Sequence, residues 1–234
     1  MFFHQHPFPP YIPENATKLI VGTLPPPRFS QGLLKEGDVD FCYGSRDGQL
    51  WPILDRIFNL KLKFEATAEA VQQRKNFLSE QKIGICDIVE SAERFKIDAT
   101  DLGMQNVKLR NLIGYLLKHP LVDTLLFTGG NSKNGPEYFF RRQLKEYGLQ
   151  LEVVSAEVPR VHQFKLPLKV EGPLKSKGIN INSSRTIKTV SLTAPSGSAN
   201  RAVGSLKEYQ RMKDKNPNFT TLDFRVLQYE KFFV

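Results

Sequence analysis

Lys18-Leu19-Ile20-Val21-Gly22-Thr23-Leu24-Pro25-Pro26-Pro27-Arg28-Phe29 is the stretch on which the fold turns. Its first half is an apolar run without polar alternation, which suits a strand buried on both faces at the centre of a parallel sheet. Its second half holds three consecutive prolines. They remove backbone donors and fix φ, so the chain must leave the sheet there in a rigid turn that is neither strand nor helix. In open α/β sheets ligands sit just beyond the carboxyl ends of such strands. Gly22 to Phe29 is therefore expected to form the floor of a binding site.

The same grammar recurs outward from this strand. Asp123 to Phe127 reads as a buried strand that runs into Thr128-Gly129-Gly130-Asn131-Ser132-Lys133-Asn134-Gly135, after which Pro136 opens a helix closed by Gly148. Leu151 to Ser155 and Thr186 to Leu192 read as a third and a fourth strand, the last ending in Thr193-Ala194-Pro195-Ser196-Gly197-Ser198-Ala199-Asn200-Arg201. Leu50, Trp51, Ile53, Leu54, Ile57 and Phe58 have helical spacing with Pro52 in the first turn. Thr67 caps a second helix to about Leu78, and a short apolar segment, Ile83 to Cys86, ends at Asp87. Leu109, Leu112, Ile113, Leu116 and Leu117 form a helical stripe stopped by Pro120, and a last helix spans about Ala202 to Lys213. Residues 1 to 17 read as an extended, proline-punctuated arm.

Four strands alternating with helices predict a three-layer α/β/α sandwich around a central, mainly parallel four-stranded sheet, in a single domain over residues 1–234. A basic insertion at about residues 158–188 interrupts it. From Arg160 to Lys188 there are seven Lys or Arg against one acid, Glu171, broken by Pro167, Gly172, Pro173 and Gly178. The segment is too long for an ordinary connection and reads either as a functional flap or as a mobile insertion.

At 234 residues, with 40% hydrophobic and 24% charged residues, the composition is that of a globular α/β chain, and the formal charge of +9 favours a polyanionic partner. Two cysteines, Cys42 and Cys86, are too few for a four-thiolate metal site, and the four histidines are scattered. No metal or other cofactor is expected. The Gly129 to Gly135 loop lacks the endings of a P-loop and of a dinucleotide fold. No apolar run reaches membrane-spanning length, so the expectation is a cytoplasmic monomer that does not engage a membrane.

The two proline-containing strand-end loops, Gly22-Thr23-Leu24-Pro25-Pro26 and Ala194 to Arg201, resemble the signature loops of the uracil-DNA glycosylase superfamily. The resemblance extends to His6-Pro7-Phe8, to Tyr43-Gly44 with Leu50-Trp51-Pro52-Ile53-Leu54, and to Gly84-Ile85-Cys86-Asp87-Ile88-Val89. It is nearest in pattern to the hypoxanthine-DNA glycosylase and mismatch-specific thymine/uracil glycosylase branches. It implies a monofunctional DNA-repair glycosylase, a hydrolase acting on duplex or single-stranded DNA. Such an enzyme flips a damaged or mismatched base of the uracil or hypoxanthine class and cleaves its N-glycosidic bond through an oxocarbenium-like sugar. Gly22, Thr23, Leu24 and Pro25 would line the base pocket. Pro195, Ser196, Gly197 and Ser198 would approach phosphates, and Asn200 or Arg201 would enter the gap left in the DNA.

Three positions depart from the pattern. Leu24 stands where related enzymes carry a water-orienting Asp or Asn, Gly48 where the hypoxanthine branch carries its Asn, and Thr128 where many members carry a base-reading Asn. Asp47, next to Gly48, is the candidate catalytic group, able to place water and stabilise positive charge on the sugar. Its competing reading is a solvated turn aspartate before glycine. Phe41 or Tyr43 is read either as a stacking face for a flipped base or as core packing. Asp87 is read either as a pocket support or as a strand-end cap, and Thr128 or Asn131 as a substitute base reader. The departures leave a second functional class open: a glycosylase-fold nucleic-acid-binding protein without base release.

Overall fold

The computed structural model describes residues 1–98, 100–168 and 183–234. Strand β1 (Phe2–Gln5) begins the chain, and the opening apolar run becomes β2 (Lys18–Val21). Leu19, Ile20 and Val21 are fully buried, with Leu19 and Val21 facing one helical layer and Ile20 the other. The chain then leaves the sheet at Gly22 as expected, but the third proline starts a one-turn helix, α1 (Pro27–Ser30), because proline fits a first helical turn whose N–H groups lack acceptors.

Helices α2 (Leu50–Phe58) and α3 (Ala68–Glu80) follow, the latter capped by Thr67, whose hydroxyl accepts the Ala70 N–H at 3.3 Å. Next come β3 (Ile83–Ile85), β4 (Val89–Arg94), β5 (Met104–Leu109) and α4 (Leu112–Lys118). Asn111 caps α4, so the expected helical stripe loses its first member, and Leu109 ends β5 instead. Then come β6 (Thr124–Phe127), α5 (Pro136–Glu146), β7 (Glu152–Ser155), β8 (Arg160–Pro167) and β9 (Ser184–Ser191). The chain closes with α6 (Asn200–Gly204), α7 (Lys207–Lys215) and α8 (Thr221–Phe233), so the single helix expected from about Ala202 is two short ones.

The main sheet has six strands in the order β3-β2-β6-β9-β8-β7, not four. β3, β2, β6 and β9 are parallel neighbours, whereas β8 and β7 run antiparallel and make the sheet mixed. The three-layer arrangement holds. α4 and α5 cover one face through Leu112, Ile113, Leu116, Phe139, Phe140 and Leu144. α2, α3 and α8 cover the other through Leu50, Trp51, Leu54, Phe77, Leu78 and Tyr229. A separate antiparallel sheet, β1-β4-β5, takes up part of the expected N-terminal arm.

The ends of the expected basic insertion are strands. β8 alternates, with His162, Phe164 and Leu166 buried and Lys165 exposed, and pairs with β9 over its whole length from Arg160↔Ser191 to Pro167↔Ser184. Burying a side chain such as Phe164 or Leu166 contributes roughly 1.5–3 kcal/mol, while the outward lysine keeps its hydration. Period-two burial therefore outweighs the local charge. The middle of the insertion, residues 169–182, lies outside the described residues. Among the described residues no helix is long and apolar enough to cross a membrane.

Candidate functional site

The parallel strands β2, β6 and β9 end at one edge of the sheet, where Gly22, Thr128 and Leu192 follow them. Four groups converge there. The Gly22 N–H donates to Asp87 Oδ1 at 2.9 Å, the Tyr43 hydroxyl donates to the same oxygen at 2.9 Å, and Thr128 Oγ1 lies 3.1 Å from that hydroxyl. The second Asp87 oxygen accepts from His6 Nε2 at 2.9 Å. His6 Nδ1 accepts the Phe8 N–H at 3.1 Å, which leaves Nε2–H to donate to the carboxylate. Asp87 is thus a buried support with both oxygens occupied, and burial together with its charge pushes the Tyr43 phenol well up. Tyr43 holds a left-handed backbone, φ 58°. That conformation costs roughly 1–2 kcal/mol for a residue with a side chain, offset here by two hydroxyl contacts.

Gly22 is required by close approach. A Cβ built on it would stand 2.1 Å from the Tyr43 hydroxyl, 2.8 Å from Asp87 Oδ1 and 2.9 Å from Thr128 Oγ1. Gly22→Ala is expected to lower stability by about 1–3 kcal/mol through overpacking. Tyr43→Phe removes the nearest of these atoms and leaves the milder contacts with Asp87 and Thr128, so the double variant should be more stable than the sum of the two single changes implies. Urea unfolding of the four proteins checks this, and strict additivity would remove the tyrosine from above Gly22.

The loop from Gln31 to Gln49 is organised around Asp38, which is fully buried. Arg28 donates to it twice, Nε to Oδ2 at 2.7 Å and Nη2 to Oδ1 at 2.8 Å, and the backbone N–H groups of Lys35 and Arg46 complete its acceptors. Asp38 is therefore spent on holding the loop. Asp47, in contrast, is open. Its side chain is 72% exposed, and its only ion pair among the described residues is with Arg28 Nη2, at 3.4 Å. Phe41 packs in the core beside Trp51 and Tyr11, not at the strand edge.

Gly48 meets Ser196 in an isolated antiparallel bridge, and the Gln49 N–H donates to the Pro195 carbonyl at 2.8 Å. The first polar loop and the loop after β9 are thus joined edge to edge. Arg225, fully buried on α8, locks the junction: Nε donates to the Ala194 carbonyl, Nη1 to Gln49 Oε1 and Asn200 Oδ1, and Nη2 to the Ser196 carbonyl. Asn200 also accepts from the Thr221 hydroxyl, so its side chain is committed to the protein. Arg201, by contrast, is exposed, as are Gly197 and Ser198. Ser196 Oγ and Ser198 Oγ lie 3.0 Å apart at the loop surface, and a Cβ on Gly197 would meet nothing.

Of the residues singled out in the sequence, Gly22, Tyr43, Asp87 and Thr128 come together. Thr23 turns its hydroxyl to Asp101 Oδ1 at 2.7 Å, Leu24 packs against the α4–α5 core, and Pro25 is half-buried. Asn131 is exposed and lines a groove along α5 with Tyr138, Arg142 and Lys145. Burial pushes the Cys86 thiol up to about 12 and the Cys42 thiol well up, so both cysteines are inert core residues. His6, Asp38, Asp101 and Arg225 are structurally central. For His6 the signal was its place in the quoted His6-Pro7-Phe8 motif, for Arg225 its place in Phe224-Arg225-Val226, to which the resemblance extends, and for Asp38 only its place in the polar loop that also holds Asp47. Asp101 carried none, its partner Thr23 being distant in sequence.

The chain is thus a mixed α/β sandwich with two joined loops at the carboxyl ends of its parallel strands. The chain is similar over 99% of its length, and over 97% of the other chain, to a solution NMR structure from Methanosarcina acetivorans described as a "putative Uracil DNA glycosylase". The TM-score is 0.54 at 15% sequence identity, a likeness of fold. No family model matches the chain, and no curated protein does.

Proposed function

We propose that the chain is a DNA glycosylase that takes a base of the uracil or hypoxanthine class out of the stack and hydrolyses its N-glycosidic bond. The branches it follows most closely are the hypoxanthine and mismatch-specific thymine/uracil ones. The observation that carries the reading is the junction of two loops almost 150 residues apart, Gly48 against Ser196, at the edge where Gly22 and Thr128 end their strands. One loop supplies an open carboxylate, Asp47, immediately before that junction, and the other a Ser-Gly-Ser turn, with Gly197 and Ser198 exposed, suited to phosphate. Asp38 cannot do the chemistry, since its acceptors are filled. Asp47 positions water and stabilises the charge developing on the sugar.

The experiment is release of free base from oligonucleotides carrying uracil, hypoxanthine, xanthine or mismatched thymine. Release from at least one supports the reading, and folded protein that releases none of them removes it. The second reading, a nucleic-acid-binding protein of the same fold without base release, is favoured by a specific observation: the Tyr43 hydroxyl stands directly over Gly22, and Leu24 and Thr128 offer no water-orienting carboxylate. It predicts duplex binding without release. In both readings affinity should fall steeply between 50 and 200 mM salt (~10³-fold for about six phosphate contacts), as counterions are released from the DNA. Titration at the two salt concentrations checks this, and a salt-independent affinity would remove both.

A further inference from the structure

The β4–β5 hairpin carries large apolar side chains into solvent at its tip. Phe95 is 70% exposed, Ile97 63% and Leu102 70%, although the strands that lead there are buried through Ala92, Arg94 and Met104. Scattered single exposed apolar residues need no explanation, but three within eight residues of one hairpin tip form a patch that does.

The tip is also held in place from the site side. Thr23, in the strand-end loop after β2, donates to Asp101 Oδ1 at 2.7 Å. Asn134, in the loop after β6, donates to the carbonyls of Asp101 and Met104 at 2.9 and 3.1 Å. Arg94, buried, donates to the Thr100 carbonyl at 2.6 Å and lies 3.6 Å from Asp98. The acids of the tip are thereby spent on the protein itself, Asp101 on Thr23 and Asp98 on Thr100 and Arg94. Among the described residues, what faces outward is the apolar surface, the ammonium of Lys96, Thr100 and part of the Asp98 carboxylate, whose side chain is 43% exposed.

We propose that Phe95 and Leu102 enter the base stack of the nucleic acid beside a base bound at the strand-end loop Thr23 to Pro25, as a second wedge in addition to the loop Ala194 to Arg201. This rests on the nucleic-acid reading above. Leu102 directly follows the residue that Thr23 bonds, which puts its Cα within roughly 10 Å of Thr23. Successive bases are spaced ~3.4 Å along a strand, so the tip is two or three steps from the seated base. Apolar side chains that insert at that range unstack a step and kink the duplex, which helps a base leave it.

The test uses the full chain and a duplex with a tetrahydrofuran abasic analogue flanked on either side, at one to three steps, by 2-aminopurine. The native protein should raise 2-aminopurine fluorescence on binding. Phe95→Ser/Leu102→Ser should abolish that rise and weaken duplex binding about five- to a hundredfold, with single-strand binding weakened less. Both positions are exposed, so thermal unfolding of the variant should match the native protein. Native-like fluorescence and affinity in the variant would overturn the wedge while leaving the glycosylase reading intact. Absence of duplex binding by the native protein overturns the wedge, and absence of single-strand binding as well overturns the glycosylase reading. If the variant instead abolishes self-association of the free protein and leaves the fluorescence rise unchanged, the patch is a contact between copies and the wedge is overturned.

Discussion

Asp47→Ala is expected to lower the rate of base release by 10²- to 10⁴-fold while changing DNA affinity by no more than a few fold. The range is that of a positioned acid–base group lost from a transition state, and it converts to roughly 3–5 kcal/mol of barrier. On the proposed reading affinity is set elsewhere, by the turn Ser196 to Ser198 with Gly197 and Ser198 exposed, by Arg201 and by the net charge of +9. The carboxylate can be removed without collapse of its loop, because the loop is held by Asp38 and Arg28 and by the Gly48–Ser196 bridge, and Asp47 itself is 72% exposed. Asp47→Asn separates the two roles of the group. An amide can still orient water but cannot offset positive charge, so an asparagine variant as slow as the alanine one assigns the effect to charge. Single-turnover rates with excess enzyme make the measurement, and an unchanged rate in Asp47→Ala takes the residue out of the mechanism.

Acid is expected to destabilise the fold in two separate windows. His4 is fully buried in β1, its Nδ1 accepting from Arg94 Nε at 2.9 Å. Burial, then the Arg94 charge, then His6, lower its pKa from 6.5 to about 4. Unfolded chain takes up the proton first, so stability is complete above about pH 6.5 and is lost as pH falls through 4, by at most about 3 kcal/mol at ~1.4 kcal/mol per unit. Asp38 behaves in the same direction for the opposite chemical reason. Burial raises its carboxyl, but the Arg28 guanidinium and the Arg46 and Lys35 amides outweigh this and hold it at about 2 against an ordinary 3.8. Its contribution, at most about 2 kcal/mol and less where water reaches the loop, is present above about pH 4 and lost as pH falls through 2. Urea midpoints from pH 7.5 to 2.5 should show both losses. His4→Gln, which keeps an acceptor for Arg94, should flatten the upper one only. A variant that loses stability between pH 6.5 and 4 as steeply as the native protein would falsify the histidine assignment.

Much of the fold was legible because its signals are local. Apolar residues at Leu19 to Val21 without polar alternation describe a strand covered on both sides, and Thr67 followed by a helical stretch describes a capped helix. Both depend only on neighbours within a few positions. The errors arose where a local signal competed with a distant partner. The lysines and arginines from Arg160 onward spoke for an insertion, but Val161 to Leu166 alternates, and pairing with β9 across the gap made it a strand. Leu109 had the spacing of a helix and was taken by β4, which bonds it as the end of β5. The candidate site divides along the same line. Gly22, Tyr43, Asp87 and Thr128 could be picked out as types, yet Phe41, equally suited to stack on a base, faces Trp51 in the core.

By itself, the sequence determined the α/β layering, the strand-end position of the two loops and the basic charge, since each follows from periodicity, proline and glycine placement or a count of side chains. Only the tertiary structure decided which carboxylates are free. Asp38, Asp47, Asp87 and Asp101 are the same chemical group in sequence. Asp38 is filled by Arg28 and two amides, Asp87 by His6, Tyr43 and Gly22, and Asp101 by Thr23, while Asp47 is left open to solvent beside the loop junction. A carboxylate's role depends on which donors reach its oxygens, and all but one of the side-chain donors in this set lie more than 40 residues from the acids they serve.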